Sequence, residues 1–137
     1  MKPLRALVLL AALAAAPAAL AHHSAAMFDQ SRLVVVKGDI ESFSFINPHA
    51  WISIVGSPQG AGPAVRWDVE ATSPSTLASL GMTAGTLKPG DKVTVAIRPL
   101  RDGRNGGSMV FVVGPDGKRY GADPQALGLS LDDLKPR

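Results

Sequence analysis

The sequence predicts an all-β domain with one short helix, folded as a five-stranded OB-like barrel. Five segments rich in β-branched residues follow one another, and the single helical pattern falls between the third and the fourth. The first segment is long and changes phase part-way, as expected for the corner-turning strand of a small barrel. A small open β-meander or sandwich with one helix is the alternative.

The first strand is predicted over residues 33–45. Val36 and Ile40 share one phase of the two-residue period, whereas Phe43 and Phe45 take the other. Such a shift turns the later side chains to the opposite face of the sheet unless the strand carries an extra residue. We therefore expect a β-bulge or a sharp bend between Ile40 and Phe43.

The remaining elements follow from local patterns. Strands are expected over residues 51–55, 65–70, 92–98 and 109–113, a short helix over 73–81, and a glycine-rich hairpin loop over 101–107. Ser73 suits the N-cap of the helix, Pro74 its first position and Gly81 its C-terminal cap. The fifth strand, over 109–113, is apolar on both faces.

The first 21 residues have the pattern of a secretory signal. Two basic residues precede an unbroken apolar run over residues 7–16, and Ala19 and Ala21 complete an A-x-A cleavage site. We predict cleavage between Ala21 and His22, a periplasmic location and no stable membrane insertion after cleavage.

Four parts are expected along the chain. They are a signal peptide over 1–21, an exposed N-terminal arm over 22–31, an OB-like β domain over 32–120 and a C-terminal tail over 121–137. The spacing of apolar residues in the tail leaves open whether it docks as a short helix or stays disordered.

Composition and charge narrow the function classes. The absence of cysteine excludes disulfides, thiolate metal sites and a cysteine nucleophile. Signal cleavage removes Lys2 and Arg5, which lowers the basic side chains from 14 to 12 against 11 acidic ones and the net charge from +3 to +1. A nearly neutral, exported chain with few aromatic residues is not expected to bind nucleic acid.

Three histidines, His22, His23 and His49, are the candidate metal ligands. As the first residue after cleavage, His22 would offer both its α-amine and its imidazole to one ion. An α-amine has an ordinary pKa of about 7.7–8.0, so its deprotonation costs little at neutral pH. His23 and His49 would add further imidazoles. A nitrogen-rich set of this kind suits Cu(II), with Zn(II) and Ni(II) as alternatives.

A carboxylate from Asp29, Asp39 or Glu41 would complete such a site, and the spacing does not select among them. The alternative interpretation is a solvated His-His pair together with a histidine, His49, that only satisfies backbone groups in its turn. The predicted cleavage directly before His22 favours the metal site.

Two further functions remain open. One is a metal-independent OB-like binding module for a peptide, a glycan or an envelope protein, with Asn47, Trp51 and Arg66 in its groove. The other is a copper-dependent redox enzyme built on the same histidines. Asp68 and Glu70 share one strand face, which favours an exposed charged surface over an acid–base pair.

Several motifs occur together in this chain. They are H-H-S at residues 22–24, F-S-F-I-N-P-H-A-W at 43–51, V-R-W-D-V-E at 65–70 and L-K-P-G-D at 87–91. This set resembles a family of small exported bacterial proteins known only as a domain of unknown function. The resemblance covers nearly all of residues 21–119 and implies export and a shared fold, but no activity. It also implies that H-H-S and N-P-H belong to one pattern, which favours a shared site.

Overall fold

The computed structural model describes residues 25–130 and 132–136. The predicted signal peptide and its predicted cleavage site, together with His22 and His23, lie outside the described residues. The elements are β1 (Val34–Ser44), β2 (Trp51–Pro58), β3 (Val65–Glu70), α1 (Pro74–Ser79), β4 (Lys92–Pro99), β5 (Gly106–Val113) and β6 (Arg119–Gly121), followed by 3₁₀ turns at Gln125–Leu127 and Asp132–Leu134. No helix within these described ranges is long and apolar enough to cross a membrane.

The first five strands close into a mixed β-barrel. β1 pairs with β2 and β4, β2 with β3, and β4 with β5, all antiparallel. A short parallel pairing of β3 with β5 closes the ring, and β6 lies outside it against β5. The helix α1 connects β3 to β4. The predicted five-stranded OB-like barrel with one short helix is therefore confirmed, and the closing pairing excludes the open meander.

The predicted bulge lies in β1. The register between β1 and β2 shifts between Ile40 and Ser42, which leaves Glu41 as the extra residue. Because of this extra residue, Ile40 before the bulge and Phe43 after it both pack against the interior of the barrel. The change of phase in the sequence is thus explained.

One apolar core fills the barrel. Its fully buried side chains include Val36, Ile52, Ile54, Val69, Leu77, Met82, Val93, Val95, Ile97 and Val112. Leu77 comes from α1, whose N-cap Ser73 accepts a hydrogen bond from the Thr76 amide as predicted. Trp67 is also buried, and its indole N–H donates to the Gly56 carbonyl at 3.2 Å.

The C-terminal tail covers the outer face of β1, β4 and β5. A row of side chains crosses these strands beneath it: Val35, Ala96 and Phe111. Leu134 of the tail is buried in this second cluster, and the Lys37 ammonium donates to the Lys135 carbonyl at 3.1 Å. The tail therefore docks, through 3₁₀ turns in place of an α-helix, and β5 is apolar on both faces because both are covered.

The start of β5 differs from the prediction. The strand begins at Gly106, three residues before the expected Met109, so the loop after β4 is shorter than residues 101–107. A Cβ atom on Gly107 would lie 2.2 Å from the Arg98 carbonyl oxygen, and one on Gly106 would lie 2.6 Å from that of Asp68. These glycines allow the close backbone approach that closes the barrel. A glycine-rich segment is typical of a turn, so the composition does not indicate that these residues belong to a strand.

Candidate functional site

The turn between β1 and β2 holds His49 close to the end of β3. The Asn47–Pro48 peptide bond in this turn is cis. The Ala50 amide donates to the Thr72 carbonyl at 3.1 Å, and the Ala71 amide donates to the Ala50 carbonyl at 2.8 Å. These bonds continue the β2–β3 pairing beyond its last strand residues, so the backbone beside His49 is fixed.

His49 pairs with Glu70. The imidazole Nδ1–H donates to the Glu70 carboxylate. The Glu70 side chain is 17% exposed, whereas that of His49 is 43% exposed. Since Nδ1 is engaged, Nε2 is the ring nitrogen that remains for a ligand.

This pair lines a cleft of about 270 Å³. Its walls include Ala25, Phe28, His49, Glu70, Thr72 and Met109. Ala25 is the first residue that the structure describes. The N-terminal arm therefore enters the fold beside the His49–Glu70 pair.

Backbone contacts anchor the arm to the segment at the end of β4. Arg101 N donates to Met27 O at 2.9 Å, Asp29 N donates to Pro99 O at 2.8 Å, and Phe28 forms a bridge with Leu100. Phe28 is 6% exposed and anchors the arm, whereas most of its other described residues are exposed. Hydrogen bonds from Ser31 hold the pKa of the Asp29 carboxyl below its usual value.

A larger groove, of about 540 Å³, adjoins this cleft. The two share Phe28 and Glu70. The floor of the groove is the outer face of β2 and β3, with Trp51, Ser53, Arg66, Asp68 and Glu70. Its walls are the arm, through Met27 and Phe28, and the segment between β4 and β5, through Leu100, Arg104 and Asn105.

Arg66 is at the centre of a polar network in this groove. Its guanidinium contacts Glu41 at 2.9 Å, Asp68 at 3.1 Å and Ser53 Oγ at 3.2 Å. The Ser53 hydroxyl in turn donates to Asp68 at 2.8 Å. Charges of both signs are therefore paired within the groove.

The predicted site residues fall into separate groups. Trp51 and Arg66 line the larger groove, whereas Asn47 is exposed in its turn and is not among the groove's lining residues. His49 lies in the adjoining cleft. His22 and His23 lie outside the described residues. Within residues 25–130 and 132–136, no group of three or more His, Cys, Asp or Glu side chains is arranged to hold a metal ion.

The carboxylate that contacts His49 is not one of the three candidates. Asp29 accepts from Ser31, Asp39 pairs with Lys92 at 3.2 Å, and Glu41 pairs with Arg66. Glu70 contacts Nδ1 of His49 as an outer partner, a role that the sequence did not assign to any carboxylate. The sequence signal for the contact between His49 and Glu70 is the register of the two predicted strands. Antiparallel pairing that places residue 56 opposite residue 65 also places residue 51 opposite residue 70, next to the turn that holds His49.

Comparison with known proteins agrees with the resemblance seen in the motifs. A family model described as a family of unknown function (DUF6152) matches residues 9–109. The match includes the H-H-S, N-P-H and V-R-W-D-V-E segments. No curated protein and no solved structure matches the chain.

Proposed function

The chain belongs to this family of unknown function, and from its site we propose that it is an exported periplasmic module that binds Cu(II) through His22, His23 and His49. Zn(II) and Ni(II) are the alternative ions. The pairing of His49 with Glu70 is the observation that carries the proposal. It supplies one oriented imidazole at the point where the arm enters the fold.

A carboxylate on Nδ1 is the usual outer partner of a metal-binding histidine. It fixes the ring orientation, makes Nδ1 the protonated nitrogen and raises the basicity of Nε2. His49 has this arrangement, and its side chain is partly open to solvent. The pair therefore suits a metal ligand better than a histidine that only satisfies its turn.

The path of the arm supports a shared site. Ala25 lines the same cleft as His49, and only Ser24 separates Ala25 from His23 in the sequence. A chain advances at most about 3.6 Å per residue, so covalent connectivity keeps both arm histidines within reach of the cleft. One α-amine and three imidazoles would then be available to one ion.

These nitrogen donors determine which ion the module binds. Imidazole and amine nitrogens bind Cu(II) more strongly than the other common divalent ions of the first transition row. A binding module of this kind takes up or carries the ion and does not use it to catalyse a redox reaction. If the chain were a redox enzyme, reductant-driven oxygen consumption would exceed that of free copper.

The first test replaces His49 with alanine. A Cu(II) titration in competition with a chelator is expected to give an affinity at least about tenfold lower for His49→Ala than for the unchanged protein, because one imidazole is lost. Thr72→Ala, in the same cleft, is the matched control and should leave the affinity unchanged. Equal affinities for His49→Ala and Thr72→Ala would contradict the proposal.

Export is tested on the secreted protein itself. Intact-mass spectrometry of the periplasmic fraction is expected to give a chain that begins at His22, because the A-x-A site ends at Ala21. A precursor that keeps its first 21 residues would contradict both the cleavage and the amine ligand.

A further inference from the structure

We infer that the larger groove, lined by Trp51, Arg66 and Asp68, binds a neutral oligosaccharide. The inference goes beyond metal binding and does not depend on it. A site for a neutral oligosaccharide needs an apolar surface for the face of a sugar ring, fixed polar groups for the sugar hydroxyls, and positive and negative charges that balance. The described residues of the groove supply all three.

Trp51 supplies the apolar surface. Its side chain is on the outer face of β2, and the residue is 44% exposed, whereas Trp67 of β3 is buried in the core. An exposed indole within a concave groove is a feature of binding sites more than of surfaces without a ligand. The C–H face of a pyranose ring packs on an indole and leaves the hydroxyls at its rim free to form hydrogen bonds.

The floor of the groove supplies fixed polar groups beside that indole. The Asp68 carboxylate is oriented by Ser53 and Arg66, at 2.8 and 3.1 Å. A sugar hydroxyl both donates and accepts, so a carboxylate and a guanidinium side by side can satisfy both capacities. Because these groups already hold one another, little conformational entropy is lost when a ligand binds.

The charges of the groove favour a neutral ligand. Two arginines, Arg66 and Arg104, and two carboxylates, Asp68 and Glu70, line it. Arg66 bridges Glu41 and Asp68, and Arg104 pairs with Asp102 at 2.7 Å. A polyanion binds through cations that are free to neutralise its phosphates, and both of these arginines are already paired.

The strand edge at the groove disfavours a peptide added as an extra strand. Asp68 and Gly106 are opposite each other in the parallel pairing of β3 with β5. The Asp68 amide also donates to the Asn105 carbonyl at 3.2 Å. Main-chain recognition needs an unpaired edge, and this part of the β3 edge is paired.

The volume of the groove, about 540 Å³, is in the range of small-molecule sites.

The experiment titrates cellotriose, maltotriose and triacetylchitotriose, three neutral sugars, into the metal-free protein in the presence of a chelator. Calorimetry and tryptophan fluorescence are expected to show saturable binding of at least one of them. Trp51→Ala should weaken that binding about tenfold or more through loss of the stacked ring. Asp68→Asn should weaken it as well. Val55→Ala is the matched control, because Val55 is exposed on the same strand and is outside the groove.

Three results would overturn the inference. They are no binding of any of these sugars up to about 10 mM, equal binding by Trp51→Ala and Val55→Ala, and saturable binding of trialanine in their place. Because copper is absent, failure here leaves the metal site untouched. Conversely, sugar binding by a protein that does not bind Cu(II) would contradict only the metal proposal.

Discussion

Asp68 and Glu70 lie two residues apart on one face of β3, yet they make different contacts. Asp68 is opposite Ser53 and accepts a hydrogen bond from its hydroxyl, whereas Glu70 accepts a hydrogen bond from the His49 imidazole. Asp68 is 53% exposed and Glu70 only 17%. Side-chain alternation correctly predicted that both leave the barrel interior. It could not separate their roles, because these depend on what the neighbouring strand and turn place opposite each carboxylate.

Glu70→Gln tests the role of this carboxylate. The substitution keeps the shape of the side chain but removes the negative charge that lies against the His49 imidazole. Loss of such an outer partner typically weakens metal binding 10–100-fold, and we expect a decrease in Cu(II) affinity in that range. The measurement is the same competition titration.

Glu41→Gln is the control for that variant. It removes the same charge from β1, where the carboxylate pairs with Arg66 and not with His49. Its Cu(II) affinity should match that of the unchanged protein. An equal loss in both variants would mean that general electrostatics, and not the orientation of His49, sets the affinity.

At the scale of single elements, the first residues of β5 close the barrel. Gly106 and Gly107 pair with β3 on one side and approach β4 on the other. The sequence predicted a loop here, since glycine-rich segments are more often turns than strands. The bulge in β1 was predictable, by contrast, because the apolar residues of this strand change phase at the same place in the sequence.

Gly107→Ala tests the closure. The added methyl would lie 2.2 Å from the Arg98 carbonyl oxygen, so the backbones of β4 and β5 must separate. We expect the free energy of unfolding to fall by about 1–3 kcal/mol. Urea unfolding followed by tryptophan fluorescence measures the change. Gly85→Ala is the control, since no atom lies closer than 4.0 Å to its added carbon. Equal stability of the two variants would argue against the close approach.

At the scale of the whole molecule, four separate parts of the chain meet around His49: the arm, the turn after β1, the end of β3 and β5. The sequence predicted the barrel because its elements and their order are local properties. It could not predict that the tail covers Val35 and Ala96, since alternation in β1 and β4 looks the same whether the outer face is covered or solvated. The contact between His49 and Glu70 was equally hidden, because it depends on strand register.

The most direct test of the metal site compares two N-termini. The protein that begins at His22 and the same protein with its α-amine blocked by acetylation are titrated with Cu(II) against a chelator. The native N-terminus should bind at least about tenfold more tightly, because acetylation removes the α-amine as a donor beside the His22 imidazole. Weak and equal binding by both proteins would contradict a site built on the arm histidines and His49.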